Sequence, residues 1–164
     1  MRTLFLLRHA KSSWKNEDLA DFDRPLAGRG RKASETIGRF LKEKEISFDL
    51  VLSSPAVRAR ETIDLILRAA KLRADLRYDE RIYEAPASRL IDVISQIENE
   101  HKTVVLVGHN PGMAELLQVL TGETDEFPTA TLAKIVFKNS KWTEVVTKKG
   151  TLEWVVRPKE LEKT

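Results

Sequence analysis

The apolar stretch at the centre of KTVVLVGHNPG (102–112) is Val-Val-Leu-Val on four successive residues, with no polar residue on either side-chain parity. A strand with one wet face would alternate, so this run predicts a strand covered on both faces, the arrangement of a parallel sheet flanked by helices. TLFLLRH (3–9) and FDLVLSSP (48–55) have the same character. Between them, apolar residues recur at helical spacing. Ala33, Ile37, Phe40 and Leu41 lie in LAGRGRKASETIGRFLKEKE (26–45), a helix expected to end near Lys44. AVRARETIDLILRAAKL (56–72) predicts a second helix, its start marked by Pro55. Leu90, Ile91, Ile94 and Ile97 predict a third over SRLIDVISQIENE (88–100), and MAELLQVLTG (113–122) predicts a short fourth with Gly122 as its stop.

The segment 12–25 reads as a loop, and LRYDERIYE (76–84) as a weak strand or extended stretch. The tail segments LAKIVFK (132–138), KWTEVVTKK (141–149) and TLEWVVRP (151–158) alternate and suggest edge strands or a hairpin, with turns at KNSK and KKGT. Trp142 and Trp154 are assigned to packing. Strand and helix alternate for three quarters of the chain. The expected fold is therefore α/β, a three-layer α/β/α sandwich with a largely parallel central sheet and helices on both faces. At 164 residues one domain spanning 1–164 is expected.

Composition removes several classes. There is no cysteine, hence no disulfide framework, thiolate nucleophile or zinc–thiolate site, which is compatible with the cytoplasmic location expected here. No apolar run approaches a membrane span of about 20 residues, and Arg8 interrupts the N-terminal run before it resembles a secretory signal. Twenty-eight Lys and Arg oppose 25 Asp and Glu, a net charge of +3. Despite the local GRGRK and VRAR clusters, that does not form the clustered basic face of a nucleic-acid binder.

In an open α/β sheet, ligands bind beyond the carboxyl ends of the strands. Arg8 and His9 end the first strand, Arg58 enters the helix after the second, and His109 ends the fourth. Two arginines and two histidines converging at one sheet edge, beside two helix N-termini, predict an anion site, and the planar fork of arginine suits a phosphoryl group. No spacing suggests a metal ligand set, and no cofactor is expected. Arg60, about 200° around the helix from Arg58, reads as a surface charge. His101, in NEHKT, reads as a solvated loop residue, and Thr62 as part of a helix face. Ser12, Ser13, Ser53 and Ser54 suit phosphate contacts or caps and turns equally. Asn110 and Gly112 are expected to shape the turn at the His109 edge, with Pro111 starting the following helix.

LLRHAKS resembles the Arg-His-Gly signature that opens the histidine phosphatase superfamily, also called phosphoglycerate mutase-like, with Ala10 in third place as in its SixA-type phosphohistidine phosphatases. SSPAVRARET resembles the second block, VVLVGHNPGM the last, and DFDRPLAGRGRKAS a segment common in the SixA-type branch. The resemblance implies that His9 is the nucleophile, passing through a covalent phosphohistidine, with a partner holding the proton on its other ring nitrogen. Arg8, Arg58 and His109 would then bind and neutralise the phosphoryl oxygens, His109 as a protonated donor, with Ser12 as a further contact.

Members acting on phosphate esters place a mid-chain glutamate to protonate the leaving oxygen. Glu84 is the first candidate here; Glu80, Asp79, Asp23 and Asp21 are alternatives. An imidazole leaves more readily than an alkoxide, so an insecure acid favours a phosphorylated histidine, and the chain has no room for long lid insertions. The expected partner is a phosphorylated protein, such as a histidine-containing phosphotransfer protein, or a small phosphorylated metabolite. The alternatives are a metal-independent phosphatase of small phosphate esters and a non-catalytic phosphate- or phosphoprotein-binding module.

Overall fold

The computed structural model describes residues 1–138 and 140–162. The described strands are β1 (Arg2–Arg8), β2 (Leu50–Ser53), β3 (Asp75–Tyr78), β4 (Thr103–Gly108), β5 (Leu132–Phe137) and β6 (Thr151–Val156). The helices are α1 (Gly28–Glu43), α2 (Val57–Ala70), α3 (Ala87–Ser95), α4 (Gly112–Thr121) and α5 (Pro158–Leu161). Sheet order is β3-β2-β4-β1-β5-β6. The first four strands run parallel, and β5 is antiparallel to both β1 and β6.

The unbroken apolar runs are explained by two cores. Leu4 and Leu6 of β1, Leu50 and Leu52 of β2, and Val104 and Leu106 of β4 face one core with α3 and α4. Phe5 and Leu7, Val51, and Val105 and Val107 face the other with α1 and α2. Each parity of each strand thus buries its own apolar side chain, at roughly 25 cal/mol per Å² removed from water. The expected α/β sandwich is observed.

Three expectations are corrected. Residues 141–149 form no strand: Trp142–Glu144 is a 3-10 turn, because Trp142 is fully buried and its Nε1–H donates to the His101 carbonyl. Helix α3 stops at Ser95 rather than near Glu100; Ile97 still reaches the core through a tighter turn whose N–H bonds the Ile94 carbonyl. Helix α1 begins at Gly28, two residues later than its segment suggested. Trp154 packs against Phe5 and Phe40, as its assignment to packing anticipated.

Register positions the functional edge. Arg8 of β1 pairs with Gly108 of β4, and Ser53 of β2 pairs with Val107. His9, His109 and Ser54 are therefore the next residues of three adjacent strands, and all emerge at one end of the sheet.

Candidate active site

At that end lies a cleft of about 340 Å³ whose lining includes Arg8, His9, Ser12, Arg24, Arg58, Glu84 and His109. The two imidazole centroids are 5.0 Å apart. His9 Nδ1 is 2.7 Å from the Ala10 carbonyl oxygen. A carbonyl only accepts, so Nδ1 carries the proton and Nε2 presents its lone pair to the cleft. The main chain of the very next residue is thus the proton-holding partner that sequence could not name. Ala10 is itself fixed, its N–H donating to Thr62 Oγ1 at 2.9 Å while the Thr62 hydroxyl donates to the Arg58 carbonyl at 2.6 Å. Thr62, read as part of a helix face, instead ties the exit of β1 to the first turn of α2.

Arg58 is 3% exposed, and its donors are spent within the site. Nη1 donates to the Asp21 carbonyl (2.7 Å), and Nη2 to Asp21 Oδ2 (3.0 Å) and Glu84 Oε1 (2.9 Å). Nε points to His9 Nε2 at 3.4 Å. Arg8 is less engaged: Nη1 donates to the Phe127 carbonyl at 3.1 Å, while its buried Nε has no partner among the described residues.

His109 is also oriented from behind. Nδ1 lies 3.3 Å from Arg58 Nη2, a group that can only donate, so Nδ1 is the acceptor and Nε2–H donates to Ser54 Oγ at 2.8 Å. Ser54 Oγ in turn accepts from the Ala56 N–H at the head of α2. Between the phosphate reading of Ser54 and the cap-or-turn reading, its bonds are those of a serine turn leading into α2 and an orienter of His109. Glu84 Oε1 lies 3.8 Å from His109 Nδ1.

Burial, with Arg58, Arg8 and Arg24 nearby, lowers the His9 pKa to about 4, the hydrogen bond to Ala10 offsetting only part of the effect. Burial, then the neighbouring His9 and Arg58, lowers His109 to about 3. Both shifts favour the neutral form of each ring near pH 7 in the free protein. A bound phosphoryl dianion would reverse the sign of the field at Nδ1 and favour its protonation.

The five candidate carboxylates separate. Only Asp21 and Glu84 reach Arg58. Asp79 caps the 3-10 turn Glu80–Ile82 and pairs with Arg81 at 2.7 Å. Glu80 and Asp23 are exposed. Arg24 pairs with Asp21 at 3.1 Å, not with the adjacent Asp23. Burial opposes ionisation of Asp21, but the Tyr83 hydroxyl, donating at 2.5 Å, and the Arg58 and Arg24 guanidiniums outweigh it and hold the carboxyl below its ordinary pKa. Glu84 adopts a left-handed backbone, φ 50°, a conformation costing a non-glycine residue about 1–2 kcal/mol and a recurrent feature of functional positions.

Ser12 and Ser13 serve the loop after β1, and Ser53 the end of β2. Ser12 Oγ accepts from Arg24 Nη2 at 2.6 Å, the Ser13 carbonyl accepts from Arg24 Nε, and Ser53 Oγ donates to the Ser54 carbonyl. Arg60 is exposed and stacks on Tyr78, and His101 pairs with Glu98 at 3.4 Å; neither lines the cleft. Asn110 Nδ2 donates to the Phe127 carbonyl, and its Oδ1 accepts from the Ala114 N–H. Sequence reasoning missed Tyr83, which bonds Asp21 and packs edge-on to His109 at 5.4 Å, and it missed Arg24. The adjacency of Tyr83 to Glu84, and the Asp-x-x-Arg spacing of Asp21 and Arg24, were the available signals.

Among the described residues no group of three or more His, Asp or Glu side chains gathers as a metal site, and no helix is long and apolar enough to cross a membrane.

Known proteins resemble this chain in sequence or in fold. An uncharacterized protein of Mycobacterium leprae is 34% identical over 77% of this chain and 84% of its own. A phosphohistidine phosphatase SixA homolog of Haemophilus influenzae is 29% identical over 84% and 90%. The crystal structure of a SixA protein from Agrobacterium tumefaciens superposes with a TM-score of 0.83 at 30% identity, covering 96% of this chain and 98% of that one. Residues 4–86 match the profile of the histidine phosphatase superfamily, branch 1, and with strand-end histidines and arginines meeting in one cleft, the chain belongs to that superfamily.

Proposed function

We propose that this phosphatase hydrolyses phosphohistidine on a partner protein, with His9 as nucleophile. The observation that carries the reading is the His9 tautomer: Nδ1–H is held by the Ala10 carbonyl at 2.7 Å, leaving Nε2 unprotonated and aimed into a cleft lined by Arg8 and Arg58. The Nε2 lone pair attacks phosphorus as the substrate's P–N bond breaks, and the departing imidazole takes a proton from solvent. Water then attacks phosphorus, releasing a proton to solvent, the His9 P–N bond breaks with its electron pair returning to Nε2, and inorganic phosphate leaves. Arg8 and Arg58 hold the equatorial oxygens throughout, and His109, which takes up a proton from solvent at Nδ1 when the dianion's charge favours it, donates to one of them. The Haemophilus influenzae relative, named a phosphohistidine phosphatase SixA homolog, supports the substrate class.

A second reading, hydrolysis of small phosphate esters, is favoured by Glu84, whose Oε1 reaches the cleft beside Arg58 and His109 as an acid for an alkoxide leaving group would. Steady-state phosphate release from a histidine-phosphorylated phosphotransfer protein and from a panel of sugar phosphates separates the two. Release from the phosphoprotein, lost in His9→Ala and little changed in Glu84→Gln, is expected. Release mainly from sugar phosphates, falling about 10²-fold or more in Glu84→Gln, would install the ester reading instead.

A further inference from the structure

Eight large apolar side chains are notably exposed among the described residues, and three of them, Trp14 (73%), Leu19 (37%) and Phe22 (37%), belong to the single loop between β1 and α1 that borders the cleft. That loop is anchored. Arg24 binds the Ser13 carbonyl, Ser12 Oγ and Asp21 Oδ1, and its guanidinium carbon sits 3.1 Å from the centroid of the Trp14 ring. The indole is therefore held in place while most of its surface stays in water. Phe22 is likewise fixed edge-on against Tyr83 at 5.2 Å. Water-exposed aromatic surface that is already ordered is the costly half of a protein-binding hot spot, because the partner gains its burial without having to immobilise it.

We propose that Trp14, Leu19 and Phe22 form the docking surface for the phosphoprotein substrate, contacting apolar side chains that flank its phosphohistidine. The inference rests on the phosphohistidine reading above and adds a specificity determinant to it. Continuity favours this occupant: Trp14 lines the same cleft as His9, Arg8 and Arg58, so a surface seated on the indole would lie beside the nucleophile. A loop serving only a small phosphometabolite would gain by turning these side chains inward over the ligand, whereas Arg24 holds the indole exposed.

The test compares kcat/KM for a histidine-phosphorylated phosphotransfer domain with that for free phosphohistidine, in wild type and in Trp14→Ala, Phe22→Ala and Trp14→Phe. The expected result is a fall of about tenfold or more in the protein-to-small-molecule ratio for the alanine variants, carried by KM, with Trp14→Phe, which keeps a ring over Arg24, retaining most of it. Equal losses on both substrates, or no change in the ratio, would overturn the docking role while wild-type turnover of both phosphoramidates left the phosphohistidine reading intact. If wild type hydrolyses neither phosphoramidate but turns over esters, that reading and the docking role fall together.

Discussion

Arg58 is the residue on which the others converge. Its guanidinium meets the Asp21 carboxylate and carbonyl, Glu84, His9 and His109 within 3.4 Å, and two of those partners are carboxyl side chains. Asp21 and Glu84 are each about half exposed, so the ion pairs are partly screened. The geometry of the planar fork therefore matters more than its charge. A lysine keeps the charge but offers a single point of donors that cannot span two carboxylates and a carbonyl. Arg58→Lys is expected to lower kcat/KM by about 10²–10³-fold, with a folded protein by circular dichroism. A loss under tenfold would mean that charge alone suffices.

Elements meet the site through close backbone approaches. A Cβ on Gly112, at the head of α4, would lie 2.1 Å from the Ala85 carbonyl oxygen, and Ala85 directly follows the strained Glu84. Gly112→Ala must push main chain, so it is expected to cost about 1–3 kcal/mol and to displace Glu84 from Arg58. Gly28→Ala, at the head of α1 with nothing within 4 Å, is the matched control and is expected to be neutral or mildly stabilising. Urea midpoints distinguish the two, and equal midpoints would refute the close-approach argument. The same elements show what a sequence displays. Strands buried on both faces appear as unbroken apolar runs, so β1, β2 and β4, and with them the positions of Arg8, His9 and His109, were readable. Asp21, Arg24 and Tyr83 come from segments with no periodicity; Asp21 meets Arg58 and Tyr83 across 37 and 62 positions of chain, while Arg24 acts within its own irregular loop. The alternation in KWTEVV suggested a strand because nothing local revealed that Trp142 is buried whole.

For the whole molecule, burying two histidines as neutral rings links folding to pH. In the unfolded chain each titrates near 6.5; in the folded protein His9 titrates at about 4 and His109 at about 3. Between these values the unfolded state binds more protons, so stability rises with pH. Their contribution is fully present above pH 6.5 and is lost as pH falls to about 4 for His9 and about 3 for His109, at up to ~1.4 kcal/mol per pH unit for each ring. The total is on the order of several kcal/mol, comparable with the whole stability of many domains. The depressed Asp21 carboxyl adds its own loss only in more acid solution, below the ordinary carboxylate range. Urea unfolding from pH 7.5 to 4.5 is expected to show a steep fall in the wild type and a much shallower one in the His9→Asn, His109→Asn double variant. A wild-type stability flat across that range would mean the rings are not held neutral. Inorganic phosphate provides the functional counterpart: if the bound anion favours uptake of a solvent proton at His109 Nδ1, the phosphate-induced rise in Tm should grow as pH falls from 7.5 toward 6.5, and that growth should vanish in His109→Asn.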